Sequence, residues 1–310
     1  MSDALFAPLE PFAAAWLDVG EGHRIFFEQC GNPHGAPVLF LHGGPGSSIN
    51  PSHRRFFDPA YYRVILFDQR GCGRSTPKGE IDANTTPKLV EDIELLRRYL
   101  GIARWLLFGG SWGSALGLAY AQAHADAASG LILRGVFLGS REEVSWFLSG
   151  LRAFLPEAWD AFSRSAADKS PAGILQHYYQ RIQQSDETAA SRWNAWENAV
   201  LAVGESASAP GAVDPVATLS RVKVNLHYLF HDCFLGPAEL LHGIQRLGSL
   251  PAIVVQGRRD LACPPVTAYT LCQSWPHSEL RMVEDGGHIA TNPSMARALV
   301  QATQDIKQRL

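Results

Sequence analysis

LLFGGSWGSALGLAY, residues 106–120, runs an apolar strand-like segment into two glycines, a serine, a tryptophan and a third glycine. It then resumes an apolar, helix-like pattern. An ordinary strand-to-helix connection needs one glycine at most. Gly109, Gly110 and Gly113 around Ser111 mark a corner too tight for side chains, with the serine at its apex. The G-x-S-x-G pattern is a nucleophile elbow where it joins a strand to a helix; a glycine-rich turn with an N-capping serine is the plainer alternative. A serine held in this way is a candidate nucleophile. It needs a base, an orienting acid and oxyanion donors elsewhere in the chain.

On either side of the corner the chain alternates between two textures. Short apolar runs at 23–31, 37–43, 62–71, 104–110, 130–139, 251–260 and 279–288 read as strands, several of them closed by glycine. Segments 87–101, 114–126, 265–275 and 295–310 have helical spacing, the first opening on Pro87 after Thr85 and Thr86 and stopping at Gly101. Near-continuous apolar strands alternating with helices indicate an α/β fold with a mostly parallel central sheet covered on both faces. From Ser140 to Gly236 no convincing strand occurs. That block is aromatic-rich and helical in period, and it holds Trp146, Trp159, Trp193 and Trp196, four of the eight tryptophans. The expected organisation is a core domain of residues 1–139 and 237–310, interrupted by a helical cap domain over 140–236.

The partners of Ser111 come from the far end of the chain. His288 lies in EDGGHIA, where Gly286 and Gly287 mark a loop after the last strand-like run. Asp260 ends AIVVQGRRD, and LACPP after it forces a loop. The chain order Ser111, Asp260, His288 is that of α/β-hydrolases. Glu284 and Asp285 are rival acids but stand too close to His288 to come from a separate strand end; they read as solvated loop charges. LHGGPGSS, residues 41–48, follows a strand and leaves backbone N–H groups unobstructed, so Gly44 and the residue after the nucleophile, Trp112, are the oxyanion-hole candidates. A phosphate loop is the competing reading, but no GK[ST] follows.

Composition bounds the partners. With 46% hydrophobic and 18% charged residues and a net charge of −3, the chain reads as globular, with neither nucleic acid nor an anionic membrane as main partner. Five cysteines without CxxC or metal-ligand spacing point to reduced thiols, no disulfide framework, no metal site and no cofactor. The first sixteen residues make a poor signal peptide, and no apolar run approaches the ~18 residues of a membrane span, so the expected compartment is the cytoplasm.

Taken together, HGGPG (42–46), DQRGCGRS (68–75), GGSWGS (109–114), RGVF (134–137), WENAV (196–200), GRRD (257–260) and GGH (286–288) resemble the proline iminopeptidase (prolyl aminopeptidase) family, in order and over nearly the whole chain. The resemblance implies an α/β-hydrolase fold with a helical cap, release of an N-terminal proline from short peptides, and the triad Ser111, Asp260 and His288. It also implies that Glu197 receives the substrate's free amino group; Trp196, Trp146 and Asn225 are the further substrate-binding candidates. The departures fall in the cap. Asn225 stands where a second amine-binding glutamate is usual, Ser140 at an expected arginine, and Trp146-Phe147-Leu148-Ser149 replaces WFYQ. A carboxylesterase or amidase with a cap retuned to uncharged acyl groups is therefore the alternative, and a non-catalytic hydrolase-fold receptor a more distant one. Epoxide hydrolase and haloalkane dehalogenase chemistry would need an aspartate where Ser111 stands.

Overall fold

In the computed structural model, residues 4–203 and 214–310 are described; residues 1–3 and 204–213, the latter inside the expected cap, lie outside the described residues. The strands are β1 (Ala13–Gly20), β2 (His23–Gly31), β3 (Ala36–Leu41), β4 (Tyr62–Phe67), β5 (Trp105–Ser111), β6 (Ala128–Val136), β7 (Ala252–Gly257) and β8 (Ser278–Val283). They form one sheet in the order β1-β2-β4-β3-β5-β6-β7-β8. β2 is antiparallel to both β1 and β4, and all pairings from β4 onward to β8 are parallel.

Period-two alternation puts the two sides of each central strand into different cores. Val38 and Phe40, Val64 and Leu66, Leu106 and Phe108, and Ile253 and Val255 face one core. Leu39 and Leu41, Ile65 and Phe67, Leu107, and Val254 face the other. Both sides are buried, which is why these runs are apolar at nearly every position. The strand missing from the sequence reading is β1. Its segment, AAAWLDVG, opens on three alanines, and its residues alternate between half-buried and exposed; pairing with β2 rather than core burial holds it.

The first helices, α1 (Thr86–Tyr99) and α2 (Trp112–Ala123), pack on the sheet. Five more follow between β6 and β7: α3 (Arg141–Ser149), α4 (Pro156–Ser163), α5 (Pro171–Gln183), α6 (Glu187–Leu201) and α7 (Pro215–Phe230). Their starts are written in side chains. Ser170, Asp186 and Asp214 cap α5, α6 and α7, and Ser140 with Glu143 forms a reciprocal capping box on α3. Phe162 stacks on Tyr178 and on Trp196 with centroids 4.8 and 5.2 Å apart, and Trp193 meets both Phe162 and Tyr178 edge-on, making an aromatic core for this helical layer. The short α8 (Glu239–His242) returns to the sheet layer, where Gln122 of α2 donates to the Leu240 carbonyl. α9 (Pro265–Ser274) and α10 (Pro293–Asp305) complete opposite faces.

The DQRG segment after β4 is anchored by a buried ion pair. Arg70 Nε and Nη2 donate to the two Asp92 carboxylate oxygens at 2.7 and 2.8 Å, and both side chains are almost fully shielded. Arg70 Nη1 also meets Glu21 Oε2 at 2.7 Å, so removing Asp92 leaves the buried guanidinium with a single, partly exposed counter-ion. Asp92→Ala should therefore cost about 3 kcal/mol of unfolding free energy. Urea melts would show a lowered midpoint with the same slope; an unchanged midpoint would mean the pair contributes nothing.

Candidate active site

Ser111 sits at the junction of β5 and α2 with φ +56° and ψ −126°, a left-handed conformation that costs energy for any residue with a side chain. The glycines around it are required by contact. A Cβ on Gly109 would lie 2.1 Å from the Gly113 carbonyl oxygen, and one on Gly113 would lie 2.1 Å from that of Leu41. Ser111 makes no side-chain capping bond to α2, so its hydroxyl is not spent as an N-cap. The first N–H groups of α2 lack intrahelical partners, and Trp112 is the first residue of that helix. Trp112 Nε1 donates to Gln69 Oε1 at 2.9 Å, and Gln69 Nε2 donates to the His42 carbonyl at 3.0 Å. That chain ties the DQRG and HGGPG segments to the elbow.

The candidate acid and base, Asp260 and His288, come from loops after β7 and β8. A Cβ on Gly257 would lie 2.4 Å from the Gly287 carbonyl oxygen, so the two loops touch backbone to backbone. Asp260 is fully buried and accepts from the Cys263 N–H at 2.8 Å through Oδ1. Its Oδ2 and Oδ1 lie 2.9 and 3.0 Å from His288 Nδ1. Gln256, buried at the end of β7, accepts from the Val136 N–H at 3.2 Å and donates to the Cys263 carbonyl at 2.9 Å, locking the acid's loop to β6. Arg134 Nη1 donates to the His288 carbonyl at 2.7 Å. Glu284, one rival acid, is exposed and paired with Arg258 at 2.9 Å; Asp285 is exposed as well.

Ser111 and His288 line one cavity of about 370 Å³. Its floor includes Gly43, Gly44 and Arg134, and its roof is built by α3, α6 and α7. His53 also lines it, but burial holds that imidazole well below its usual value, at about 3, and its ring nitrogens engage Asn50. Of these two histidines, His288 has the carboxylate partner. Cys263 completes the wall, its Sγ 3.9 Å from Ser111 Oγ; burial pushes its thiol well up, so it stays protonated.

The helical period sorts the roof residues. On α6, Asn194, Glu197, Asn198 and Leu201 face the cavity, while Trp193, Trp196 and Val200 face the aromatic core. The expected contact at Trp196 is therefore corrected: its ring stacks on Phe162, and its Nε1 donates to the Phe147 carbonyl at 3.1 Å. Trp146 is likewise off the cavity wall, with Nε1 donating to the Leu261 carbonyl at 2.8 Å, while its neighbour Phe147 lines the cavity. On α7, Arg221, Asn225 and Leu229 face the cavity at intervals of four. Asn225 has both ends of its amide engaged, Oδ1 accepting from Trp193 Nε1 and Nδ2 donating to the Pro45 carbonyl, each at 3.1 Å. It fastens α7 to the HGGPG loop. Glu197 Oε2 accepts from Arg221 Nη2 at 2.5 Å. Arg221 was not among the residues singled out in the sequence, although its position one turn before Asn225 on the same face is a legible signal.

Residues 36–291 match the model of the alpha/beta hydrolase fold family. A proline iminopeptidase of Arabidopsis thaliana is 40% identical over 98% of this chain and 82% of its own length. One of Neisseria gonorrhoeae is 41% identical over 97% of this chain and 98% of its own. The chain belongs to the proline iminopeptidase family of α/β hydrolases. The crystal structure of a proline iminopeptidase of Mycobacterium smegmatis, 20% identical, shares the fold with a TM-score of 0.63 over 96% of this chain and 98% of that one. Among the described residues, no cluster of three or more His, Cys, Asp or Glu side chains is placed to hold a metal ion, and no helix is long and apolar enough to cross a membrane.

Proposed function

We propose that this chain is a serine hydrolase that releases an N-terminal proline, or a similar residue, from short peptides or amides through an acyl-enzyme. The observation that carries the reading is a carboxylate, Glu197, in the roof of the cavity whose floor holds the elbow serine and a carboxylate-held histidine. The proline iminopeptidase relatives support the substrate class. Ser111 Oγ attacks the carbonyl carbon of the N-terminal residue while its proton passes to His288 Nε2. The Gly44 and Trp112 N–H groups receive the oxygen as it becomes anionic. The C–N bond breaks, the leaving amine takes the proton from His288, and water then hydrolyses the acyl ester by the same route in reverse roles. Asp260 keeps the histidine's proton on Nδ1. The five cysteines, all free, accord with a reducing compartment, and we assign the protein to the cytoplasm.

Glu197→Gln keeps the side chain's shape and removes its charge. With a charge-assisted bond to the ammonium lost, and Arg221 left facing it, kcat/KM for a proline chromogenic amide should fall about ten- to a hundred-fold. Turnover of a small neutral ester should change far less. Equal losses on both substrates would make Glu197 structural, and a wild type that cleaves esters but no free-amine substrate would favour the carboxylesterase reading.

A further inference from the structure

Among the described residues, two carboxylates line the cavity roof, and they are differently committed. Glu143 is spent on its own backbone: it accepts from the Leu138 N–H at 3.1 Å and the Ser140 N–H at 2.9 Å, closing the capping box of α3. Among the described residues, Glu197 accepts no backbone N–H; its partner is a cation. Arg221 Nη2 reaches Glu197 Oε2 at 2.5 Å and Asn194 Oδ1 at 2.9 Å, so the guanidinium lies across the carboxylate and its neighbour on α6. The pair is largely withdrawn from water, with the glutamate and arginine side chains 16% and 27% exposed. The arginine's backbone is pinned as well. Its carbonyl abuts the HGGPG loop so closely that a Cβ on Gly46 would lie 2.4 Å from that oxygen. One turn along, Asn225 holds α7 to Pro45.

We propose that Arg221 is a resident counter-ion for Glu197 and a specificity determinant that disfavours substrates bearing a free ammonium relative to uncharged acyl groups. The inference rests on Glu197 as the amine site. A shielded carboxylate takes a cation at a premium, because leaving it unpaired is costly. In this cavity that cation is already supplied from α7. An incoming prolyl ammonium must draw Glu197 away from Arg221 or share it, and it approaches a fixed positive charge while doing so. A neutral acyl group meets neither cost. Removing the arginine's charge leaves Glu197 wanting a cation, which the substrate then provides.

The test is a comparison of wild type with Arg221→Met, Arg221→Gln and Arg221→Lys on L-proline p-nitroanilide and p-nitrophenyl acetate, with pyrrolidine as a competitive amine. Met keeps the apolar stem, Gln keeps a donor for Asn194, and Lys keeps the charge. The expected result is that Met and Gln raise kcat/KM for the proline amide about tenfold, mostly through KM, and lower the pyrrolidine inhibition constant by a similar factor. Ester turnover should change far less than proline-amide turnover, and Lys, which keeps the charge, should stay nearer wild type than Met or Gln do. A structural role would depress both substrates together and leave the inhibition constant unmoved; that outcome overturns the inference. So does weaker pyrrolidine inhibition in Met and Gln, which would make Arg221 a contributor to amine binding. If wild type and all three variants hydrolyse the ester but none cleaves the proline amide, the prolyl reading of the site fails, and the inference fails with it.

Discussion

Ser111→Ala should abolish turnover to within a residual activity, a loss of about three to six orders of magnitude in kcat with folding intact. The alanine fits the same left-handed corner no worse than serine, since the strain at φ +56° belongs to the backbone and not to the hydroxyl. What disappears is the atom that forms the acyl-enzyme in the proposed mechanism. His288→Ala should lose a comparable amount, because without a base the hydroxyl stays protonated and weakly nucleophilic, and triad members act as a unit. The double variant should be scarcely worse than either single one. An organophosphonate should label wild type stoichiometrically and Ser111→Ala not at all. Turnover near wild type in a folded Ser111→Ala protein would move the nucleophile elsewhere, with Cys263, 3.9 Å away, the first place to look.

The parts of this architecture that are legible in the sequence are those where backbone constraint and chemistry coincide. Gly109 and Gly113 are glycines because carbonyl oxygens stand where their Cβ atoms would be, so the elbow announces itself in composition. Asp260 is visible because it follows the buried apolar strand β7, and His288 because Gly286 and Gly287 mark the loop before it, although β8 itself is only half-buried. The observed strands end earlier than the apolar runs suggest: β7 stops at Gly257 and β8 at Val283, and Asp260 and His288 lie in the loops beyond. Strand ends are where the chain peels away from its neighbours, and short charged tails such as RRD carry no period to mark the point.

The roof of the cavity is less legible because it depends on which stripe of each helix faces which neighbour. Trp193 and Trp196 at helical spacing signal a core stripe, and the structure buries them in one. Reading Trp196 as a substrate contact because it adjoins Glu197 ignores the ~100° between successive helix residues. The ion pair between Glu197 and Arg221 joins two helices separated in sequence by residues 202–214, and no local pattern reports such a pairing. β1 is illegible in the sequence for a related reason: its stability comes from a partner strand, not from its own apolar content.

Asp260→Asn should reduce kcat by about four orders of magnitude while leaving the fold in place, for a reason the local hydrogen bonds make specific. Asp260 is surrounded by donors. Its Oδ1 accepts from the Cys263 N–H at 2.8 Å, and both oxygens lie about 3 Å from His288 Nδ1. An asparagine has one acceptor and one donor end. The backbone N–H cannot change its role, so the amide oxygen stays with Cys263 and the NH₂ turns to the imidazole. His288 Nδ1 must then accept, which moves the ring proton to Nε2, the nitrogen that has to take the proton from Ser111. The base is thus disabled by tautomer alone, and the imidazolium formed later would lose its negative partner. Gly135 lies close behind, where a Cβ would come within 3.0 Å of Asp260 Oδ2, so the loop has no room to offer another arrangement. The decisive measurement is the ring-nitrogen NMR of His288 beside the kinetics: Nδ1 protonated in wild type, Nε2 protonated in Asp260→Asn. A variant with the proton moved but turnover retained would show that His288 is not the base, and one with the proton still on Nδ1 and turnover retained would show that Asp260 does not set the tautomer.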